Sequence, residues 1–272
     1  MDKKIGFIGC GSMGSAMTNG ILSSGLCAAD QITASAHSQP TLDRLSKAYG
    51  IRVTVDNREV TKSSDIIFLA VKPHMYKSII KEIRNDVDEE KLIVAIAAGI
   101  SHSKLDDYFG KPVKIIRAMP NTPATVLEAM SALSPNRLVT EEDLNTVTAV
   151  FESFGKAEVV PESLMDAVTG VSGSSPAYVY LFIEAMADAA VADGMPRAQA
   201  YKFAAQSVYG AAKMVIETGK HPGELKDAVC SPGGTTIAAV EKLEEAGLRN
   251  AVISAQRCCV EKSKKMGKIK KN

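Results

Sequence analysis

The chain opens with a strand, a turn and a helix within residues 4–14, KIGFIGCGSMG. An apolar run at 4–8 is typical of a buried strand, and residues from 12 onwards have a helical pattern. Between them Gly9, Gly11 and Gly14 have the spacing G-x-G-x-x-G, which in this context indicates a dinucleotide-binding turn. The glycines permit a tight turn, close approach of a pyrophosphate and close helix packing, while the helix N-terminus offers N–H groups to phosphates.

Short apolar runs alternate with helical patterns up to Pro161, and the chain then becomes Ala-rich and helical. This predicts an α/β Rossmann domain with a doubly wound, mostly parallel sheet at residues 1–161, and an all-α domain at 162–272. The predicted strands are residues 4–8, 31–34, 51–55, 65–71, 91–97, 113–118 and 158–160. The predicted helices are residues 12–23, 41–48, 76–83, 141–154, 176–192, 197–218, 235–245 and 248–265.

Composition argues against several classes of protein. The 32 basic and 31 acidic residues leave a net charge of +1, which gives no electrostatic reason to bind nucleic acid or an anionic membrane. The N-terminus does not resemble a signal peptide, and no stretch is typical of a membrane span. The five cysteines form no C-x-x-C pair, so we expect reduced thiols, a cytoplasmic location and no metal site.

The end of the second predicted strand bears on which dinucleotide is bound. An NAD site usually places Asp or Glu there to bind the ribose hydroxyls. Residues 34–38 are instead Ala-Ser-Ala-His-Ser, without a carboxylate to repel a 2′-phosphate. Ser35, His37 and Ser38 could donate hydrogen bonds to that phosphate, although the segment holds no arginine. The sequence favours NADPH, with NADH as the alternative cofactor, and an exposed loop residue is the alternative interpretation of His37.

Two later segments place glycines and hydroxyls directly before a helix, residues 170–178 and residues 231–236. Free N–H groups at such a helix start form a nest for a carboxylate or a phosphate. Helix capping by Ser and Thr is the alternative explanation of each segment. The occurrence of two such segments favours a binding site. The Ala-rich helices between them have few aromatic residues to build a core, so we expect a homodimer.

Seven segments together resemble the pyrroline-5-carboxylate reductase family. They lie in the family's order and extend to about Lys265. The segments are Gly9–Gly14, Phe68-Leu69-Ala70-Val71-Lys72-Pro73, Ala97-Ala98-Gly99, Arg117-Ala118-Met119-Pro120-Asn121-Thr122-Pro123, Asp166-Ala167-Val168-Thr169-Gly170, Pro176-Ala177-Tyr178 and Ser231–Thr236. The resemblance implies NAD(P)H-dependent reduction of 1-pyrroline-5-carboxylate to L-proline, the last step of proline biosynthesis. It also implies a helical domain that interlocks with a second subunit, and a decamer of five dimers as the larger assembly.

The resemblance further implies site residues by position. In the family's motif Thr236 is the hydroxyl donor to the ring nitrogen, with Ser231 beside it as the second catalytic candidate. The implied substrate residues are Glu162, Ser174, Ser175, Gly233, Gly234, Thr235 and Thr236. The implied cofactor residues are Gly9, Gly11, Ser12, Met13, Gly14, Ser35, Ala36, Asn57, Ala70, Val71, Lys72, Pro73 and Ala97. The chain departs from the family at Ser175, where many members have Gly, and at Ala228, where some have Asn.

Two other functions compete with this interpretation. A β-hydroxyacid-type dehydrogenase also joins a Rossmann domain to helices, but it would need a catalytic lysine on a helix of the second half. Lys202 and Lys213 lie there without the matching Gly-Ser signature. A non-catalytic NADP-binding sensor is the second alternative. Such a protein would not need the glycines and hydroxyls of residues 231–236.

Overall fold

The structure is a computed structural model that describes residues 1–267. Its chain forms two compact units, one of residues 1–174 together with the segment from Cys259, the other of residues 175–258. The second unit is thus inserted into the sequence of the first. The predicted domain division between residues 161 and 162 stays a prediction. The last five residues of the predicted second domain, 268–272, lie outside the described chain.

A single twisted sheet forms the centre of the first unit. Its strands are β1 (Ile5–Ile8), β2 (Ile32–Ser35), β3 (Arg52–Thr54), β4 (Ile66–Leu69), β5 (Leu92–Ala95), β6 (Lys114–Met119), β7 (Ala129–Pro135) and β8 (Gly155–Val159). The strand order is β3-β2-β1-β4-β5-β6-β7-β8. All neighbours pair in parallel except β6 and β7, which are antiparallel. The predicted doubly wound, mostly parallel sheet is confirmed, whereas β7 was not predicted.

Helices follow most of the strands and cover the sheet. They are α1 (Ser12–Ser23), α2 (Gln39–Tyr49), α3 (Asn57–Ser63), α4 (Tyr76–Ile83), α5 (His102–Phe109), α6 (Glu141–Glu152) and the single turn α7 (Met165–Val168). The predicted helices are confirmed to within about two residues, which is the usual uncertainty of helix ends. The short helices α3 and α5 were not predicted.

Both faces of the central strands are buried. Phe7 of β1 stacks on Phe68 of β4 with ring centroids 4.9 Å apart, and Phe151 and Phe154 continue this aromatic cluster on the α6 side. The alternate residues of the same strands pack against α4 and α5 in a second cluster. Burial of every residue is typical of parallel strands between helical layers, and it explains why these segments are continuously apolar in sequence.

The parallel register brings four strand ends to one edge of the sheet. Ile8 at the end of β1 pairs with Ser35 of β2 on one side and with Leu69 of β4 on the other, while Leu69 pairs with Ala95 of β5. The loops that follow these residues therefore leave the sheet side by side. This carboxyl edge is where open α/β sheets bind their ligands.

The second unit consists of helices alone. They are α8 (Ser175–Ala192), α9 (Arg197–Thr218), α10 (Pro222–Val229), α11 (Thr235–Glu245) and the part of α12 (Leu248–Gly267) that precedes Cys259. All were predicted except α10. Large apolar side chains on these helices are exposed, including Leu181 (67%), Phe203 (65%) and Ile216 (76%). Within the described chain the unit buries only alanines, Ala187, Ala200 and Ala204.

The last turns of α12 belong to the first unit. The Ser263 hydroxyl, which is buried, donates to Asp166 Oδ1 at 2.5 Å. The Cys259 thiol donates to the Ser174 hydroxyl at 3.1 Å. At the end of the helix the backbone of Gly267 lies against Gly99 in the loop after β5. The Rossmann unit is therefore closed by residues from the far end of the sequence.

Candidate functional site

The glycine turn after β1 has the conformation that the sequence predicted. Gly9 has a left-handed φ of +81°, and a Cβ there would collide with the Val71 side chain. The N–H groups of Gly9 and Cys10 donate to the Ser35 carbonyl at 3.2 and 3.1 Å. Gly11, in contrast, has no neighbouring atom of residues 1–267 within 4 Å of the position of a Cβ. The fold itself needs a glycine at Gly9, whereas at Gly11 it leaves open space for a ligand.

The N-terminus of α1 is free to bind an anion. Gly11 is the N-cap residue, and no described side chain caps the helix. The first-turn N–H groups therefore face the open side of the turn with the positive end of the helix dipole. Close packing at Gly14, where a Cβ would lie 3.0 Å from Cys10 Sγ, holds the turn. Burial raises the pKa of the Cys10 thiol to about 11, so the thiol is neutral and adds no charge here.

A cavity of about 830 Å³ lies over this turn, along the carboxyl edge of the sheet. The predicted cofactor residues line it with the exception of Gly14, so the structure brings them together. Those that line it are Gly9, Gly11, Ser12, Met13, Ser35, Ala36, Asn57, Ala70, Val71, Lys72, Pro73 and Ala97. Their contact with a cofactor stays a prediction. The volume and the uncapped helix fit an elongated, phosphorylated ligand.

Further residues line the cavity besides those that the family resemblance implies. Pro120 and Thr122 belong to the Met-Pro-Asn-Thr-Pro segment, so the motif itself was a signal for them. Cys10 and Ala98 also lie within motif segments, and His37 and Ser38 were suggested as donors to a 2′-phosphate, whereas Thr41, Val55, Met75, Ile79 and Ile96 offered no signal in the sequence.

A chain of hydrogen bonds fixes the far corner of the cavity, beyond β2. The Ser35 hydroxyl donates to Asn57 Oδ1 at 2.7 Å, and Asn57 Nδ2 donates to Glu82 Oε2 at 3.0 Å. The proton of Ser35 is thus committed to Asn57. The sequence suggested Ser35 as a donor to a 2′-phosphate, but in this arrangement its hydroxyl is left with acceptor capacity only.

A buried tyrosine joins the two loops at the other end of the cavity. The Tyr76 hydroxyl donates to the Leu69 carbonyl at 2.6 Å and accepts from the Ala97 N–H at 3.1 Å. Tyr76 is completely buried, and this burial raises the pKa of its phenol, so the hydroxyl stays protonated and can donate. One side chain therefore sets the spacing between the ends of β4 and β5. The sequence analysis did not identify it.

Glu162 lies in a cluster of polar side chains behind β6. Its Oε1 accepts hydrogen bonds from Arg117 at 2.6 Å and from the His102 N–H at 2.7 Å. Burial acts to raise the pKa of the Glu162 carboxyl, but the hydrogen bonds from His102 and Arg117 outweigh it, so the pKa is lowered. The side chain of Arg117 is only 8% exposed, so the arginine side of the Arg117–Glu162 ion pair is shielded from solvent. The predicted contact of Glu162 with substrate stays a prediction.

The segment 231–236 has the form of a nest before α11. Gly233 adopts a left-handed φ of +66°, and the Gly234 N–H donates to the Ser231 carbonyl at 3.0 Å. Gly234 is the N-cap residue, and no side chain of the described protein caps α11. The capping explanation of this segment is therefore wrong, since Ser231, Thr235 and Thr236 leave the first-turn N–H groups free of side-chain partners.

The other predicted substrate residues lie at the boundary between α7 and α8. A π-helical turn, Thr169–Gly173, precedes Ser174, whose N–H donates to the Thr169 carbonyl at 2.9 Å. Ser175 is the first residue of α8. The Asn121 side chain donates to the Ser172 carbonyl at 3.0 Å, which ties the Met-Pro-Asn-Thr-Pro segment to this turn.

Residues 1–267 offer neither a metal cluster nor a membrane-spanning helix. No group of three or more His, Cys, Asp and Glu side chains there could hold a metal ion. None of the helices in that range is both long enough and apolar enough to span a bilayer.

Two family models match the chain. Residues 162–266 match "Pyrroline-5-carboxylate reductase dimerisation", which covers the helices described above and the predicted nest. Residues 4–99 match "NADP oxidoreductase coenzyme F420-dependent", which covers the glycine turn and the first five strands.

Curated and solved relatives match over nearly the full length. A pyrroline-5-carboxylate reductase of Escherichia coli is 54% identical over 98% of this chain and 100% of its own. One of Methanosarcina acetivorans is 48% identical over 98% of this chain and 99% of its own. The crystal structure of a Plasmodium falciparum pyrroline carboxylate reductase with NADP bound has a TM-score of 0.90 and 33% identity, and it covers 98% of this chain and 99% of that one.

Proposed function

Because this chain belongs to the pyrroline-5-carboxylate reductase family, we propose that it reduces 1-pyrroline-5-carboxylate to L-proline with NADPH, the last step of proline biosynthesis. NADH is the alternative hydride donor. One observation supports a cofactor site for NADPH at the carboxyl edge of the sheet. The cavity of about 830 Å³ joins the uncapped start of α1 to the ends of β2, β4 and β5, and no carboxylate lies at the end of β2.

The first unit would hold the cofactor through its backbone. The N–H groups after Gly11 would bind the pyrophosphate, since the helix dipole and the open space at this glycine favour an anion there. The loops at Ala70–Pro73 and Ala97 would hold the nicotinamide end, with Tyr76 fixing their spacing. When bound, NADPH supplies the hydride, and the protein contributes orientation and electrostatics.

The start of α11 would hold the substrate. The backbone at Gly234 and Thr235 suits the single carboxylate of the cyclic imine, because the first-turn N–H groups that follow Gly234 have no side-chain partner. Thr236 would donate a hydrogen bond to the ring nitrogen, or relay a proton to it from water, as the nitrogen gains basicity during reduction. Ser231, Gly233, Glu162, Ser174 and Ser175 would complete the substrate side. Oxidation of a hydroxyacid needs a strong base to remove the alcohol proton. Reduction of an imine does not, so the hydroxyl of Thr236 is sufficient.

The domain organisation supports an assembly of several chains. We propose an NADP-binding domain at residues 1–161 and a dimerisation and substrate domain at 162–272, and the match of a family model to residues 162–266 supports the second. The exposed apolar side chains of α8 and α9 favour a homodimer, and five such dimers would give the family's decamer. Five free cysteines favour the reducing cytoplasm.

The direct test follows the absorbance of NADPH in the presence of 1-pyrroline-5-carboxylate. We expect oxidation of NADPH and formation of proline in equal amounts, with slower turnover on NADH. β-Hydroxyacids with NADP serve as the control for the dehydrogenase alternative, and we expect no turnover with them. Tight NADPH binding without turnover on the imine would instead support a sensor and contradict the proposal.

Thr236→Ala tests the proton-donor role. We expect kcat to fall about ten- to a hundredfold while the Kd for NADPH is unchanged, since general acid help of this kind contributes about that much. Thr236→Ser keeps the hydroxyl and should restore most of kcat. Thr218→Ala, which removes an exposed hydroxyl from the end of α9 in the same unit, is the matched control. Unchanged kcat in a folded Thr236→Ala protein would remove Thr236 from the mechanism.

A further inference from the structure

An arginine that the sequence analysis did not connect with the cofactor lies beside the cavity. Arg44 is on α2, three residues after Thr41, which lines the cavity. Residues three apart share one face of a helix, so Arg44 and Thr41 point to the same side of α2. His37 and Ser38 line the cavity just before this helix. We call His37, Ser38, Thr41 and Arg44 the α2 corner.

The guanidinium of Arg44 reaches the first turns of α1. Its two terminal nitrogens lie 3.3 and 3.4 Å from the Ser15 hydroxyl in the first turns of α1. The same positive charge acts to lower the pKa of the Cys10 thiol, although burial raises it more. Cys10 lines the cavity, so the charge of Arg44 lies within electrostatic reach of the space where a phosphorylated ligand would lie.

No carboxylate in the described part of the chain pairs with this charge. Among residues 1–267, Arg44 forms no ion pair with a carboxylate, and its only side-chain hydrogen bonds are the long ones to Ser15. The neighbouring Asp43 accepts from Gln39 at 2.8 Å instead. Glu82 accepts a hydrogen bond from Asn57. A guanidinium has five N–H donors, so most of those on Arg44 are left for a ligand.

The α2 corner has the chemistry of a phosphate site. Arginine binds phosphate through two parallel hydrogen bonds, and hydroxyl groups add further donors. Ser38 and Thr41 lie with their hydroxyl oxygens 2.9 Å apart, so a proton of one of them remains free to donate outward. The proton of Ser35 is already donated to Asn57, which leaves the α2 corner as the source of donors on the β2 side.

We propose that Arg44 determines the preference for NADPH over NADH by pairing with the 2′-phosphate at the α2 corner. The Rossmann fold places the adenosine ribose near the end of β2, where an arginine accommodates the 2′-phosphate in NADP enzymes. Here the arginine comes from the second turn of α2 rather than from the loop after β2. The inference rests on the proposed cofactor site, which it extends to a specificity-determining residue.

Equilibrium binding of NADPH and NADH to Arg44→Gln tests the inference. We expect the Kd for NADPH to rise about ten- to a hundredfold, as for a charge-assisted bidentate contact, and the Kd for NADH to change less than about twofold. Adenosine 2′,5′-bisphosphate carries the same 2′-phosphate without the nicotinamide, and it should compete with NADPH for the wild-type protein. Its affinity for Arg44→Gln should fall by the same factor as that of NADPH. Arg44→Lys keeps the charge but not the paired N–H donors of the guanidinium, so its Kd for NADPH should lie between those of the wild type and Arg44→Gln.

Two further variants separate this role from a structural one. Lys47→Gln removes an exposed charge one turn further along α2 and should leave the ratio of the two Kd values unchanged. Ser15→Ala removes the hydroxyl to which Arg44 is bound. If Arg44 only joined α2 to α1, Ser15→Ala and Arg44→Gln would lower Tm alike and leave the ratio at its wild-type value, which would overturn the inference.

The inference and the proposed function fail in different ways. A wild-type protein that does not bind NADPH overturns both. A wild-type protein that reduces the imine and prefers NADPH, combined with an Arg44→Gln variant of unchanged preference, overturns only the role of Arg44. Should Arg44→Gln fail to fold, the same comparison with Arg44→Lys decides, because a rise in the Kd for NADPH alone is required there too.

Discussion

Tyr76→Phe removes the one hydroxyl that joins the ends of β4 and β5. It leaves the Leu69 carbonyl and the Ala97 N–H without their partner, at 2.6 and 3.1 Å in the native protein. A buried polar group without a partner costs about 1–3 kcal/mol. Leu69 is completely buried and Ala97 only half-buried, so the first bears the full cost and the second a smaller one. We therefore expect the free energy of unfolding of Tyr76→Phe to be about 2–3 kcal/mol lower than that of the wild type.

Thermal unfolding and cofactor binding measure the two consequences. For a unit of this size we expect Tm to fall by about 5–10 °C. The loops that begin at Ala70 and Ala97 also lose their common anchor, so the KM for NADPH should rise by several-fold while KM for the imine changes less. Tyr49→Phe is the control: Tyr49 is partly buried and bonds neither loop, so the loss of its hydroxyl should shift Tm little. A Tyr76→Phe protein with native Tm and native KM would show that the two hydrogen bonds do not position the loops.

Three further predictions concern other parts of the molecule. Gly234→Val places a side chain against the Ser231 hydroxyl and should raise the KM for the imine with little change in the Kd for NADPH; an unaltered KM would place the carboxylate elsewhere. Leu127 has a left-handed φ of +61°, so Leu127→Asn should raise the free energy of unfolding by about 1 kcal/mol in denaturant titration, and a loss of stability would contradict this. The pKa of Glu162 is lowered in the folded state, so its stabilisation is complete above the ordinary value of 4.5 and is lost as pH falls below it. Glu162→Gln should flatten that acid limb of Tm against pH, and a curve of unchanged shape would exclude the Arg117 pair as its cause.

The sequence was sufficient for elements that a local pattern encodes. The strands that end at Ile8 and Leu69 are continuous apolar runs because they are buried on both faces, and such runs are visible without a structure. The strand Ala129–Pro135 was missed because its sequence, AMSALSP, has small and polar residues and pairs antiparallel with β6 across a short connection. Helices α3, α5 and α10 were missed because each buries two residues at most, which leaves no apolar period in the sequence. The equally short α4 was predicted because its buried residues recur at 76, 79, 80 and 83.

The candidate site also contains parts that could be predicted from the sequence and parts that could not. The glycine turn and the loops after β4 and β5 follow from motifs, because parallel strands end at a common edge. The contacts of Tyr76 with Ala97, of Arg117 with Glu162 and of Arg44 with Ser15 could not be predicted, since each joins residues 21 to 45 positions apart that only the fold brings near. Arg44 shows this most clearly, because the segment 34–38 contains no arginine and the charge arrives from the next helix.

The return of α12 to the first unit has a practical consequence for dissecting the molecule. A fragment that stops at Ser174 would carry the glycine turn and every strand, yet it would expose the surface around Asp166 and Gly99 that the turns after Cys259 cover. The nucleotide-binding half is thus not a detachable module with one cut site. Chimeras between relatives should be exchanged as an internal cassette, residues 175–258, with both flanks taken from the same parent.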